Sequence, residues 1–281
     1  MHPLDGKTTR LIIARPDFMM VAETSIHFRG ALSHMTANPE EEYDWNPLRK
    51  LWHISGCLVA LVLFYQWKDV GGPFHGPDVM LVLGWLAAAG AAGIDILRFI
   101  SPKNRAALEA HPVYGGMLRP GERQHFNAST YLVLGAATLV TLWRFGLCRD
   151  VTLMVSIAVL GVADPAASGV RHMLARRGAR GVKAYGLAAF VMAAVVVMGL
   201  LCRWQGVSLG LPRMLGMGLL VGLLEAHTGL GVRLLAPVTR RVQGSVSPDT
   251  ADWLRRVYPD DNLFIPLAMA ALMELFSTPP A

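Results

Sequence analysis

The feature that most constrains this chain is a series of apolar runs, each about 16–20 residues long. They lie near residues 51–67, 79–97, 127–143, 151–170, 185–202, 211–226 and 260–276. An α-helix rises 1.5 Å per residue, so about 17–25 residues cross roughly 30 Å of hydrocarbon. The pattern predicts an all-α, polytopic membrane bundle of about seven transmembrane helices, the last short and weak. A large soluble core is the poorer reading. Only 16% of the residues are charged, against about 25% in ordinary soluble domains. The same composition, 53% apolar, excludes a disordered chain. Glycine shows no period of three and Glu and Lys are scarce, which excludes collagen and coiled coil. Cys57, Cys148 and Cys202 lie in or beside apolar runs without paired spacing, so no disulfide framework is expected.

The net charge of +6 acquires meaning from its location. Lys and Arg alternate between the segments flanking the runs: six before the first, then one, five, two, five, one, five and none. The rich segments are 1–50, 98–126, 171–184 and 227–259. The positive-inside rule places these in the cytoplasm and the C-terminus outside. Residues 1–48 form a cytoplasmic segment without a clean apolar stretch, and are expected to be no cleavable signal and to lie along the interface as a helix. Residues 49–276 form one transmembrane domain with a long cytoplasmic loop at 227–259. Within that loop, Ser247-Pro248-Asp249 reads as the start of a helix reaching about Val257. No internal repeat is present, and the chemistry of the chain points away from nucleic acid.

Ionisable residues inside spans are expensive and mark functional sites. Here they gather at one depth. Arg49, Lys50 and His53 open the first span, Asp95 and Arg98 close the second, and Asn127, Ser129 and Tyr131 open the third. Asp164 lies in the fourth, six residues before its expected end at Val170. Glu225 and His227 close the sixth, and Asp260, Asp261 and Asn262 open the seventh. The outer ends of the spans carry almost nothing comparable. Each residue also has a plain structural reading. Arg49 and Lys50 serve as membrane anchors, and Asp95 and Arg98 pair at i,i+3. Asp260 and Asp261 cap a helix whose start also suits Pro266, and His53 bonds a carbonyl. Asp164, in Gly161-Val162-Ala163-Asp164-Pro165-Ala166-Ala167, has the weakest packing rationale.

Carboxylates beside Arg and Lys at a membrane face suit phosphate chemistry with a divalent cation. Mg²⁺ takes a few carboxylate oxygens plus substrate phosphates, and phosphate oxygens take Arg and Lys. The common nucleotide loops, G-x-x-x-x-G-K-[ST] and G-x-G-x-x-G, are absent, as are H-x-x-x-H and C-x-x-C zinc pairs.

Five blocks, in order over about residues 47–270, resemble a known family. They are Arg49-Lys50-Leu51-Trp52-His53-Ile54-Ser55-Gly56, and Asp95-Ile96-Leu97-Arg98-Phe99 with Pro102 and Asn104. Next come Leu118-Arg119-Pro120-Gly121-Glu122-Arg123 with Asn127 and Tyr131 to Gly135, then Asp164-Pro165-Ala166-Ala167. Last are Glu225 and Asp260-Asp261-Asn262-Leu263-Phe264-Ile265-Pro266-Leu267. The set resembles the CTP-dependent membrane lipid kinases: the dolichol kinase, phytol kinase and yeast-type diacylglycerol kinase group. Where that family carries a Lys, a hydroxyl residue, an acid and Gly, this chain has Lys183-Ala184-Tyr185-Gly186.

The resemblance implies transfer of the terminal phosphate of CTP, with Mg²⁺ or another divalent cation, to the hydroxyl of a membrane lipid alcohol. It implies Asp164 as catalytic residue and metal ligand. Asp260, Asp261 and Glu225 would share the metal, and Arg49, Lys50, Arg98, Asn127, Lys183 and Asn262 would bind nucleotide or phosphate. Polyprenol, phytol and diacylglycerol are equally compatible acceptors. A small polytopic transporter and a non-catalytic relative are the alternative readings, and the sequence leaves homo-oligomerisation open.

Overall fold

The computed structural model describes residues 45–72, 75–118, 125–226 and 260–277. Expectations that fall elsewhere lie outside the described residues. These are the interfacial helix before residue 45, the basic-acidic block at 119–124, His227, and the loop 227–259 with its helix.

The described residues form helices and no strands. In chain order these are α1 (Pro47–Trp67), α2 (Gly76–Ile100), α3 (Pro102–Ala110), α4 (Tyr114–Met117), α5 (Ala128–Arg144), α6 (Asp150–Arg176), α7 (Val182–Trp204), α8 (Leu211–Ala226) and α9 (Asp261–Phe276). Their starts follow from local chemistry. Asn46, Ser101, Asn127 and Asp260 each accept a backbone N–H from the first turn of the helix that follows. Pro47 and Pro102 supply a preset φ where the helix has no use for the missing donor.

Four helices, α1, α2, α6 and α7, are long and apolar enough to cross a membrane. The other three apolar helices coincide with expected spans but have 17, 16 and 16 residues. At 1.5 Å per residue they reach about 24–26 Å, short of a roughly 30 Å hydrocarbon core. Pro266 also lies inside α9 rather than at its start. It denies a donor to the Asn262 carbonyl, which turns toward α5: a Cβ at Gly135 would sit 3.2 Å from that oxygen.

The central element is α6. It is buried along most of its first half, from Val151 to Gly161, and packs against α1, α7 and α9. α8 joins α7 to α9, α5 joins α9 to α2, and α2 barely touches α1. Glycines set the close approaches. A Cβ at Gly161 would lie 2.6 Å from the Cys57 Cβ, and one at Gly222 would lie 2.8 Å from Leu187. Such approaches supply the packing that holds helices together where water drives nothing. The fourth apolar run, expected over 151–170, lies within a longer helix: α6 continues to Arg176. Asp164 therefore stands twelve residues, about 18 Å, from the helix end.

Candidate functional site

The buried stripe of α1 comprises Lys50, His53, Cys57 and Phe64, a helical spacing that aims one face at α6. Because Gly161 has no side chain, α1 comes close enough for its polar end to meet Asp164. Lys50 Nζ donates to Asp164 Oδ2 at 2.9 Å, and His53 Nδ1 lies 3.9 Å from the same oxygen. Pro165 follows directly and removes the helical donor for the Gly161 carbonyl. The Asp164 side chain keeps 13% exposure, so the carboxylate is sheltered but open on one side.

Two turns further along α6 stands Arg171, on the same face as Asp164. Its Nη1 donates to Glu225 Oε2 at 2.9 Å, and its Nη2 donates to Glu225 Oε1. The Glu225 side chain is 2% exposed. This fork-on-carboxylate geometry gives direction as well as attraction. Gly186 makes it possible, since a Cβ there would lie 2.5 Å from Arg171 Cγ. Arg171 also interacts electrostatically with Asp164 and Asp261. The structure thus seats Glu225 directly on the Arg171 guanidinium and sets Asp164 and Asp261 within its electrostatic reach, although sequence reading had assigned Arg171 to a loop. The missed signal is the interval of seven between Asp164 and Arg171.

A second polar knot is built on Asp95, which is 1% exposed. Its Oδ2 accepts from the Asn127 backbone N–H at 2.8 Å and from Thr130 Oγ1 at 2.7 Å. Its Oδ1 accepts from the Tyr114 hydroxyl at 2.9 Å and pairs with Arg98 at 3.0 Å. Arg98 also donates to the His125 carbonyl, lies over the Phe99 ring and has no exposed surface. Burial first, and then the Asp95 charge, push the Tyr114 hydroxyl up, so it remains a donor. Asn127 caps α5 by accepting from Ser129 N at 2.9 Å. Arg98 and Asn127, named as phosphate ligands from the resemblance, are thus joined in a knot that fastens α2, α4 and α5.

The remaining candidates sit at helix starts. Asp260 accepts from the Asn262 backbone and side-chain amides at 2.7 and 3.0 Å, a cap geometry. Asp261 occupies the first turn of α9. Lys183 is exposed on the first turn of α7, and Arg49 is half-buried beside Lys50. Tyr131 is buried, and its hydroxyl has no hydrogen-bond partner among the described residues.

Among the described residues no three His, Cys, Asp or Glu side chains are grouped as a metal site. Asp164, Glu225, Asp260 and Asp261 do not form one cation cage as they stand. Lys50 occupies one Asp164 oxygen, Arg171 occupies both oxygens of Glu225, and Asp260 is turned toward Asn262. The described carboxylates alone therefore do not fit a resident metal.

The opposite end of the bundle corrects the expectation of a bare outer face. Glu274 accepts from the Arg149 backbone N–H at 2.9 Å and pairs with Arg149 Nε at 3.1 Å. It also accepts from Thr152, which has no exposed surface. Arg149 reaches Ser277 as well. Lys68 bridges Asp69 and Asp150, each at 2.9 Å, and Trp143 Nε1 donates to Asp150 at 2.8 Å. Its two hydrogen-bonded carboxylates raise the Lys68 ammonium above its usual range. Comparison with known proteins adds no relative: no family model, no curated protein and no solved structure matches the chain.

Proposed function

We propose that this chain is a membrane lipid kinase that transfers the terminal phosphate of CTP to the hydroxyl of a lipid alcohol. The observation that carries the reading is Asp164, a carboxylate inside an apolar helix with Lys50 at 2.9 Å and His53 beside it. Phosphoryl transfer needs positioning and charge neutralisation more than covalent chemistry from the protein. In the proposed step the lipid hydroxyl oxygen attacks the terminal phosphorus, its proton passes to Asp164, and CDP leaves with the electrons of the broken P–O bond. Lys50, Arg49 and Lys183 would offset phosphate charge. Arg171, locked on Glu225, would hold its field against Asp164. The divalent cation would arrive as part of the nucleotide substrate, with Asp260 and Asp261 facing the cation and Asn262 a phosphate oxygen. All seven apolar helices would cross the bilayer, the three shorter ones in a locally thinned core, with the site on the cytoplasmic side and the C-terminus outside.

One specific observation favours a second reading, a non-catalytic relative: Asp164, Glu225 and Asp95 are each already paired with a cation of the same chain. The test is a phosphorylation assay of the purified full chain, with each labelled nucleotide against a panel of lipid alcohols. Label is expected in a lipid product from CTP and absent for Asp164→Asn. Folded protein that transfers no label from any donor overturns the kinase reading.

A further inference from the structure

Where α6 gives way to α7 the chain carries a patch of positive charge. Arg176 ends α6, Arg177 follows it, and Arg180 stands in the turn that leads to α7. All three are exposed, and their side chains have no ion-pair or hydrogen-bond partner among the described residues. Lys183, also exposed, comes next on the first turn of α7. No acidic residue occurs between Asp164 and Glu225, and those two carboxylates are held by Lys50 and Arg171. The opposite end of the bundle is built differently. There Lys68 holds Asp69 and Asp150, Arg144 holds Asp78, and Arg149 holds Glu274. Arg203 is the single exposed cation without a carboxylate among the described residues at that end.

The depth of the patch follows from α6. Its start is pinned at the opposite face, where Asp150 receives Lys68 and Trp143. A roughly 30 Å hydrocarbon core takes about twenty residues from there, ending near Val170. Arg176 then stands about 9 Å farther on, in the headgroup layer. The neighbouring side chains fit that level. Met173 is 46% exposed just before the arginines, and Tyr185 is 56% exposed just after them. An apolar and an amphipathic side chain suit the boundary between hydrocarbon and headgroups. Gly178 and Gly181, at φ +65° and +72°, turn the chain back within this layer. We infer that the α6–α7 turn is a binding surface for anionic phospholipid headgroups, whose negative charge answers the unpaired arginines. Guanidinium groups offer two parallel donors to a phosphate. The occupant is lipid rather than a soluble anion, because the arginines sit beside exposed apolar surface at the depth where lipid phosphates are concentrated. A zwitterionic phospholipid cancels its phosphate with its own amine, so the preference is for net negative lipid. This surface is independent of the kinase reading.

The test is native mass spectrometry of the full chain in detergent with equimolar dioleoylphosphatidylglycerol and dioleoylphosphatidylcholine. Wild type should retain phosphatidylglycerol in preference. Arg176→Gln, Arg177→Gln and Arg180→Gln should each lower that preference about fivefold, and the triple variant should erase it. Arg203→Gln should leave it unchanged, and inorganic phosphate at equal concentration should not displace the lipid. Because the substituted side chains are exposed, the Tm of the triple variant in detergent should match wild type. Added phosphatidylglycerol should raise the Tm of wild type and not that of the triple variant. Equal retention of the two lipids by wild type, a preference or Tm rise that survives in the triple variant, an equal loss in Arg203→Gln, or displacement by inorganic phosphate overturns the inference.

Discussion

The pair most open to a quantitative test is Arg171 with Glu225. Arg171→Met keeps a long apolar stem and removes the charge. It leaves the Glu225 carboxylate, 2% exposed, without its two-point partner. Removing one member of a buried pair costs about 3–5 kcal/mol, because the charge left behind is uncompensated. With a transition of about 2–4 °C per kcal/mol for a domain of this size, the melting temperature in detergent should fall by roughly 6–20 °C. Substituting the partner as well, in Arg171→Met with Glu225→Met, removes the orphan charge. That double variant should recover most of the loss, since apolar replacement of a whole buried pair is often neutral. The assay is a thermal unfolding series of wild type, both single variants and the double variant. A drop of less than about 2 °C for Arg171→Met would mean water reaches Glu225 freely, and the clamp between α6 and α8 would be refuted.

Four further outcomes follow from the same contacts. Asp164→Asn should abolish phosphoryl transfer and leave the chain monodisperse; near-normal activity in the labelled-nucleotide assay would move the reacting carboxylate elsewhere. Gly161→Ala puts a methyl 2.6 Å from the Cys57 Cβ; overpacking of this kind costs about 1–3 kcal/mol, and it should also lower activity by parting Lys50 from Asp164, read as a lower Tm together with slower turnover. Thr152→Val removes a buried donor to Glu274 and should cost about 1–2 kcal/mol in the same unfolding series. For topology, Arg180→Cys serves better than Gly178→Cys, because Gly178 has φ +65°. Impermeant maleimide should miss Arg180→Cys in intact cells and label it in inverted vesicles. Background is low, since the three native cysteines are buried and the Cys148 thiol is pushed up to about 12 by burial and then by Glu274.

The all-helical class and the positions of the apolar helices were legible because apolar length is a one-dimensional property. So was the face of α1: Lys50, His53 and Cys57 already share a stripe in the sequence. The Asp95–Arg98 pair was legible as an i,i+3 interval, but its partners Tyr114 and Thr130 were not, since they arrive from distant segments. Arg171 was lost by ending the fourth span at the first arginine; an arginine can extend a helix when a buried carboxylate such as Glu225 receives it. The polar fastening around Glu274 was missed because the last run read as short and weak.

The Lys50–Asp164 contact joins residues 114 positions apart. At a synthesis rate of about 5–20 residues per second, the two leave the ribosome roughly 6–23 s apart. Through that interval α1 must be accommodated with a cation on the face that will later be buried. Lys50 lies in the first turn of α1, where its stem can carry the ammonium up to the headgroups. The helix can thus wait at the interface and sink against α6 only when Asp164 appears. Assembly of the polar site is in this sense timed by translation. A chain truncated before α6 should therefore leave its first helix exposed to the quality-control proteases of the membrane.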